Sequence, residues 1–371
     1  MRIVSRIVIP VVILGTQLAP PFAAAAPTCM GQRATIIGTS GRDVLEGTPG
    51  VDVIIGKGEA DRIEGGGGND VICGGPGDDT ILGGGGDDIV NAGRGSDSSV
   101  AGGKGDDHLL GGQGDDHLLG GPGDDKLAGG KGDDLLSGEA GYDYVLYGSA
   151  AQGVVIDLPG LRVNGQGSDT LVGFQGLADV EGAYGSGYDD RFVGNRADNV
   201  FIARKGDDVI IASPGHDLLN GGEEKRRGDL VTFAAMDLPH GLTVDLATRR
   251  ATWEGDNANS HLLSSIERVI GSRGDDVLRG SDDVDRLSGG RGADVIKGRG
   301  GADLLEGGKG RDEMTGGSGP DRLGGGLGDD KLRGGKGKDR LLGGPGHDSL
   351  NGGPGQDNCR AGPGGARTRN C

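Results

Sequence analysis

The chain has 371 residues, of which 84 are glycine and only 3% are aromatic, and its formal net charge at pH 7 is -18. Low hydrophobicity combined with a high net charge opposes collapse, and in a sequence without a repeat this composition would indicate disorder. The acidic charge argues against nucleic acids and anionic membranes as partners. A folded structure is therefore expected only if the sequence contains a repeat that stacks.

Residues 1–26 differ in composition from the rest of the chain. A basic start with Arg2 and Arg6 is followed by an apolar run and then by four alanines that end at Ala26. This order is typical of a secretory signal peptide with cleavage near Ala26. A membrane anchor is the alternative, but the apolar run is short and contains Pro10. We therefore expect an extracellular protein whose mature chain does not span a membrane.

From residue 39 onward an aspartate recurs at intervals of nine residues. The residue two positions later is apolar, as Leu332 follows Asp330, and the residues before the next aspartate are mostly Gly-Gly-x-Gly-x. A nine-residue period fits neither an amphipathic helix nor a long strand, but it fits a coil that turns, extends briefly and turns again. The step from Asp97 to Asp107 is ten residues, and Ser99 stands where other repeats have an apolar side chain, so we expect a bulge there.

The repeat has a physical interpretation of its own. Glycines allow the sharp turn, and the turn directs backbone carbonyls to the side where the aspartate adds a carboxylate. Oxygen ligands without Cys or His favour calcium over softer metals. Carboxylates on adjacent strands, about 4.8 Å apart, repel one another by roughly 1 kcal/mol in water, so a divalent cation is expected to be required for folding. The variable fifth position, for example Asp329, is expected to face solvent.

The nonapeptide resembles the hemolysin-type calcium-binding repeat of RTX proteins. This resemblance implies an all-β fold, a parallel β-roll solenoid of nonapeptide repeats in three blocks, interrupted by two β-rich spacers. It also implies that two nonapeptides form one coil, that residues 18 apart stack, and that multiple calcium ions are bound. The predicted metal ligands are Asp61, Asp70, Asp79, Asp88, Asp107, Asp116, Asp125, Asp134, Asp208, Asp217, Asp276, Asp285, Asp294, Asp303, Asp312, Asp321, Asp330, Asp339, Asp348 and Asp357.

Interruptions of the period divide the chain into segments. Residues 153–158 and 241–246 are similar to each other, so the two spacers are expected to share a structure. In the short block between them Asn199 replaces an aspartate, which predicts a weaker site. The predicted segments are a signal peptide (1–26), a first block with an N-terminal cap (27–143), a β-rich spacer (144–185), a short repeat block (186–220), a loop with a second β-rich spacer (221–270), a last block (271–358) and a C-terminal cap (359–371).

The four cysteines lie near the two ends of the repeat region. An even number of cysteines in a secreted chain favours disulfides, and of the three possible pairings we expect Cys29–Cys73 and Cys359–Cys371. A solenoid needs capped ends, and a local bridge at each end meets that need. A zinc site is the alternative, but no paired Cys-x-x-Cys spacing supports it.

The sequence does not indicate an enzyme. Four of the six histidines adjoin a repeat aspartate and are expected to face solvent, while His240 and His261 lie in the second spacer. There is no Gly-x-Ser-x-Gly, His-Glu-x-x-His or Gly-Lys-Ser/Thr motif. We therefore expect a secreted calcium-binding protein that folds on binding. An extracellular adhesion, matrix or cell-surface component that uses the roll as a spacer is the alternative, and a hydrolase in the spacers is a remote one; the sequence identifies no protein or cell-surface partner.

Overall fold

The computed structural model describes residues 26–165, 168–171, 173–174, 177–224, 226–253 and 260–371. The predicted signal peptide lies outside these residues apart from Ala26. All regular secondary structure in the described residues is β-strand. Within the same residues there is no helix of sufficient length and hydrophobicity to cross a membrane.

Each repeat builds one strand and one turn. In a well-formed repeat the strand starts directly after the aspartate and runs for six residues, as in Lys331–Lys336. Leu332 points inward and is 2% exposed, while Lys331 and Arg333 point outward. Gly335 and Gly337 then turn the chain with φ of 117° and 148°, a region that side chains with a Cβ rarely occupy.

Successive strands pair in parallel with residues 18 apart in register, so two nonapeptides form one coil. Met314 pairs with Leu332, and Leu332 pairs with Leu350, which confirms the predicted apolar column. The facing column of Leu305, Leu323 and Leu341 forms in the same way. The predicted all-β parallel solenoid is therefore confirmed.

The coils form two long sheets on opposite sides of the roll. In stacking order, sheet 1 consists of Ile36–Ile37, Val53–Ile55, Val71–Pro76, Ile89–Arg94, His108–Gln113, Lys126–Lys131, Tyr144–Leu146, Gly182–Tyr184, Val200–Ile202, Leu218–Asn220, Ser260–Ser264, Arg250–Trp253, Leu242–Asp245, Val277–Arg279, Val295–Gly300, Glu313–Ser318, Lys331–Lys336, Asp348–Asn351 and Ala366–Arg369.

Sheet 2 lies opposite and contributes the alternate strands. In stacking order it consists of Val44–Glu46, Arg62–Gly67, Thr80–Gly85, Ser99–Lys104, His117–Pro122, Leu135–Ala140, Ser168–Leu171, Arg162–Asn164, Val155–Asp157, Arg191–Val193, Val209–Ile211, Leu230–Thr232, Arg268–Ile270, Arg286–Arg291, Leu304–Lys309, Arg322–Leu327, Arg340–Leu342 and Asn358–Arg360. Three two-stranded pairs lie outside these sheets: Thr28–Cys29 with Gln32–Arg33, Gly173–Phe174 with Leu177–Ala178, and Lys205–Gly206 with Glu223–Glu224.

The ten-residue step is accommodated before the strand rather than inside it. Ser98 is the extra residue, and the strand starts one position late, at Ser99. Val100 therefore takes the inward position and is fully buried, so the expectation that Ser99 replaces the apolar side chain is wrong. Across this point the register changes from 18 to 19, with Val100 opposite Ile81.

The first predicted spacer contains a meander that is inserted into sheet 2. It has three strands, each antiparallel to the next: Val155–Asp157, Arg162–Asn164 and Ser168–Leu171. The two outer strands of this meander pair in parallel with Arg191–Val193 and Leu135–Ala140 of the neighbouring coils. The solenoid therefore continues through the spacer instead of stopping at it.

The second predicted spacer repeats this arrangement in sheet 1. Leu242–Asp245, Arg250–Trp253 and Ser260–Ser264 form the meander, which joins Leu218–Asn220 to Val277–Arg279. The two meanders thus lie on opposite faces of the roll. The exact ends of the predicted segments stay predictions.

One apolar core runs from Ile54 to Leu350 without a break. In the repeats it is a thin column with one aliphatic side chain per nonapeptide. Between the two meanders it widens and includes aromatic rings, with the ring centroids of Phe192 and Phe201 5.1 Å apart. The larger aromatic side chains supply hydrophobic burial where the period is irregular.

Disulfides close both ends of the roll, and both predicted pairings are confirmed. Cys29 bonds to Cys73, with their Cα atoms 5.8 Å apart, and fixes the antiparallel N-terminal strands to sheet 1. Cys359 bonds to Cys371, with their Cα atoms 5.6 Å apart, and joins the final strands of the two sheets. The terminal coils have only one neighbouring coil each, and the bridges restrain them.

We predict that removal of the C-terminal bridge loosens only the last coil. In the double variant Cys359→Ser/Cys371→Ser, loss of the cross-link should lower the local opening free energy there by about 2–4 kcal/mol. Hydrogen–deuterium exchange should rise in Asn358–Arg360 and Ala366–Arg369 and stay unchanged in Lys126–Lys131. Faster exchange through the whole last block would contradict local capping.

Candidate functional site

Both edges of the roll carry a row of stacked aspartates that are linked through the backbone. The amide of Asp312 donates to Oδ1 of Asp330 at 2.9 Å, and the amide of Asp330 donates to Oδ1 of Asp348 at 3.1 Å. The same bond links each neighbour in four rows: Asp43, Asp61, Asp79, Asp97, Asp116, Asp134; Asp52, Asp70, Asp88, Asp107, Asp125, Asp143; Asp276, Asp294, Asp312, Asp330, Asp348; and Asp285, Asp303, Asp321, Asp339, Asp357.

The second carboxylate oxygen of most of these aspartates is buried and has no hydrogen-bond partner. A buried polar atom without a partner is destabilising by about 1–3 kcal/mol, and a charged one by more. Such atoms are therefore rare in a folded protein unless a bound group supplies the partner. This Oδ2 atom is unpartnered in Asp61, Asp70, Asp79, Asp88, Asp97, Asp107, Asp116, Asp125, Asp134, Asp143, Asp208, Asp294, Asp303, Asp312, Asp321, Asp330, Asp339, Asp348 and Asp357.

Glycine makes room for this oxygen. A Cβ at Gly325 would collide with Oδ2 of Asp330 and with the carbonyl oxygen of Gly343 in the next coil. These two oxygens therefore lie beside the same small space. Among the described residues, no three His, Cys, Asp or Glu side chains cluster closely enough to bind a metal by themselves. A cation at this position would thus be held by one or two carboxylates together with backbone carbonyls, a ligand set that suits calcium.

Burial makes the aspartates hard to ionise when no cation is present. Burial, with a smaller contribution from the charges of Asp88 and Asp125, raises the pKa of Asp107 to about 7. The hydrogen bond from the amide of Asp88 lowers this pKa but does not offset the rise. The pKa of Asp294 also rises to about 7 through burial and through the charges of Asp276 and Asp312. A cation would remove both causes, since it replaces lost hydration and cancels the repulsion.

A second kind of turn satisfies the same oxygen without an added group. Where Ser or Thr replaces the second glycine, its backbone amide and hydroxyl bind the aspartate four residues later. The amide of Ser281 donates to Oδ2 of Asp285 at 2.6 Å, and its hydroxyl donates at 3.1 Å. We call these hydroxyl-capped turns; they are Thr39–Asp43, Thr48–Asp52, Ser186–Asp190, Ser272–Asp276 and Ser281–Asp285.

A cationic residue follows three of the hydroxyl-capped turns, one coil later. Lys57, Arg204 and Arg299 occupy the glycine position with φ of 94°, 83° and 80°. The Lys57 ammonium donates to the carbonyl of Gly38 at 2.5 Å, and the Arg299 guanidinium donates to the carbonyl of Gly280 at 2.6 Å. In these two places a side chain brings positive charge to the carbonyls of the turn.

At the meanders the aspartate row continues through residues that the nine-residue period does not identify. The amide of Asp134 donates to Oδ1 of Asp169, whose Oδ2 accepts a 2.7 Å hydrogen bond from the buried Tyr147 hydroxyl. The amide of Asp143 donates to Glu181 at 2.9 Å, and the amide of Asp229 donates to Glu267 at 2.9 Å. Each of these acidic residues is followed two positions later by a buried residue of the core, and that local pattern is the signal that the period misses.

His261 occupies an aspartate position in the second meander. The amide of Asp217 donates to its Nδ1 at 3.2 Å, and the buried ring lies beside Phe233 and Trp253, with centroids 5.7 and 4.9 Å away. The run His261-Leu262-Leu263 corresponds to Asp217-Leu218-Leu219 in sequence and in register. His261 is therefore a structural member of the row, and the site at Asp217 differs from the regular ones.

The fifth-position side chains face solvent, as expected for Asp329, but they also link neighbouring coils. Oδ1 of Asp329 accepts a hydrogen bond from the amide of His347 at 2.8 Å, and Oδ2 lies 3.6 Å from the Arg311 guanidinium. Asp106 and Asp124 form the same link between coils at 2.9 Å. A second, exposed row therefore runs outside the buried one. Of the four histidines predicted to face solvent, His216 and His347 are exposed, and His108 and His117 are half-buried in opposite sheets.

We predict that the cation-free roll becomes less stable as pH rises. Burial raises the folded-state pKa of Asp107, Asp116 and Asp294 from the ordinary value of 3.8 to about 7, so the folded state holds more protons than the unfolded chain between these values. Stability should fall as pH rises from about 4 to about 7. Circular dichroism in chelator should show more β-structure at about pH 5 than at about pH 7.5. More β-structure at the higher pH would contradict the burial of these carboxylates.

A comparison with known protein families agrees with the geometry of the aspartate rows. The RTX calcium-binding nonapeptide repeat model matches residues 37–72, 46–81, 64–98, 99–127, 110–145, 184–223, 264–296, 289–323 and 324–359, which together cover well over half of the chain. A search of curated proteins gave no significant match. The matched segments contain the aspartate rows and stop at the inserted meanders. The chain belongs to the RTX calcium-binding nonapeptide repeat family, and it is a calcium-binding β-roll.

Proposed function

We propose that the chain is a secreted protein that folds around a series of calcium ions held between successive coils. The observation that carries this proposal is the row of buried aspartate Oδ2 atoms without a partner. A calcium ion supplies the missing partner for each oxygen and cancels the repulsion along the row. Residues 1–26, with their signal-like composition, and the two disulfides support export to an oxidising environment.

The proposed ligands are the aspartates whose Oδ2 has no protein partner. This set adds Asp97 and Asp143 to the residues predicted from sequence. It leaves out Asp217, whose Oδ2 accepts a hydrogen bond from the Ser213 hydroxyl at 3.4 Å. It also leaves out Asp276 and Asp285, whose Oδ2 atoms accept hydrogen bonds from the backbone amides of Ser272 and Ser281. The number of ions is therefore smaller than the number of repeats.

The hydroxyl-capped turns have a complementary role in this proposal. Ser272 and Ser281 precede the regular turns of the last block, and Thr39 and Thr48 precede those of the first. Because their aspartates are satisfied by the chain itself, these coils form without calcium. They provide a folded edge to which the next coil can add. An existing edge lowers the entropic cost of ordering a glycine-rich coil.

We predict that Asp330→Asn reduces calcium binding whereas Asp285→Asn does not. Asp330 lies between two coils with an unpartnered Oδ2, so loss of its charge should remove about two ions and weaken binding by roughly 1–3 kcal/mol per site. Asp285 is equally buried in the same block, but Ser281 caps it. Its variant should lose stability and keep the number of ions.

Isothermal titration calorimetry of both variants and the native protein decides between these outcomes. Circular dichroism in saturating calcium confirms that each variant is folded before the ions are counted. An equal loss of ions in Asp285→Asn and Asp330→Asn would mean that the hydroxyl-capped turns also bind calcium. No loss in Asp330→Asn would remove the Oδ2 row from the site.

A further inference from the structure

The last block is more basic on its surface than the acidity of the whole chain suggests. Residues 271–358 contain 14 Lys and Arg and 16 Asp and Glu. Ten of these acidic residues belong to the two aspartate rows, which leaves six acidic side chains outside the rows against 14 basic ones. Residues 27–143 contain 8 Lys and Arg and 22 Asp and Glu, 12 of them in the rows, and their surface has no such excess of positive charge.

Arginines line up on the outer face of sheet 2 in this region. The strand register places Arg268 opposite Arg286, Arg286 opposite Leu304, Leu304 opposite Arg322, and Arg322 opposite Arg340. Adjacent positions are about 4.8 Å apart, the separation of neighbouring strands. We call these four arginines the arginine row. Leu304 fills its one gap.

The arginine row has little internal neutralisation. Within the part of the chain that the structure describes, no carboxylate forms an ion pair with Arg286, Arg322 or Arg340, and all three side chains are exposed. Burial lowers the pKa of the Arg268 guanidinium, and the charge of Arg286 lowers it further. Like charges held at this spacing on a rigid sheet are unfavourable unless an anion lies across them.

The surface along the row is grooved. Three depressions, of about 190, 540 and 480 Å³, follow one another along it and share Leu304 in their walls. Leu304, 36% exposed, lies within the row. Leu342, 53% exposed, lies beside the row in the neighbouring register column, which also contains the exposed carboxylate of Glu306. An extended chain molecule with regularly spaced anionic groups and apolar ring faces is complementary to this surface.

We propose that the arginine row binds a linear acidic polysaccharide, with sugar carboxylates lying on Arg286, Arg322 and Arg340 and one intervening ring lying over Leu304. One sugar unit is comparable in length to the strand separation, and each guanidinium can bind a carboxylate in a bidentate manner. This inference rests on the proposed calcium sites. The aspartate rows would repel a polyanion until calcium neutralises them, so binding requires calcium.

The same features disfavour nucleic acid. Duplex phosphates follow two strands wound around a helix, whereas the arginines follow a single column on one sheet face. Single strands are held largely by bases that stack on aromatic side chains, and neither the row nor its gap contains one. Duplex DNA is therefore the competitor to use in the test.

Fluorescence anisotropy with a labelled oligogalacturonate, too short to gel with calcium, tests the proposal on the full chain. The triple variant Arg286→Gln/Arg322→Gln/Arg340→Gln should bind at least about tenfold more weakly than the native protein in calcium. The matched control is Arg279→Gln/Lys297→Gln/Arg333→Gln, which removes the same charge from sheet 1 of the same block. Its affinity should change by less than about twofold.

Equal weakening in both triple variants would show a net-charge effect and overturn the arginine row. Tighter binding of duplex DNA than of oligogalacturonate would overturn the choice of partner, and equal binding in chelator would overturn the calcium requirement. Circular dichroism in calcium confirms that both variants are folded. If the native protein binds calcium and folds but does not bind the oligosaccharide, this inference fails and the proposed calcium function stands.

Discussion

The structure depends on one buried carboxylate per nonapeptide. One oxygen of each repeat aspartate accepts an amide hydrogen bond from the coil before it, as Asp330 accepts from Asp312, and this bond fixes the stacking register. The other oxygen is left in a glycine-lined space beside a backbone carbonyl. Because the apolar core contributes a single aliphatic side chain per repeat, it cannot offset both the repulsion along the row and the ordering of so much glycine. This imbalance is the physical basis for the proposed cation at this oxygen.

Exceptions to the regular turn follow from the same constraint. Ser281 caps Asp285, Tyr147 caps Asp169, and Lys57 brings its own positive charge to a turn. Each provides a partner from within the chain where a regular turn would need an ion. These exceptions lie at the start of the blocks and at the meanders, where the widened core also adds aromatic burial. In the proposed function, coils satisfied by the chain itself precede or interrupt runs of coils that depend on calcium, which suits a solenoid whose folding spreads from one coil to the next.

The period predicted most of the fold because it reports both the inward leucines and the stacked aspartates. It gave the columns through Leu332 and Leu341 and the coil of 18 residues correctly. It could not place Ser98, because one extra residue can be absorbed in a turn or in a strand with the same spacing. It also missed Glu181 and His261, since the meanders bring distant residues into the row. The division between hydroxyl-capped and regular turns is visible in sequence only once the role of the second glycine is known.

The most direct test of this account is far-UV circular dichroism of the mature chain during a calcium titration from chelator at neutral pH. The account predicts a largely disordered spectrum in chelator and a cooperative change to β-structure, with a midpoint of roughly 10⁻⁴–10⁻³ M, the range typical of extracellular calcium modules. Magnesium should replace calcium poorly, because its octahedral geometry suits carbonyl and carboxylate ligands of this kind less well. Identical β-rich spectra in chelator and in millimolar calcium would show that the buried carboxylates do not need an ion, and would contradict the account.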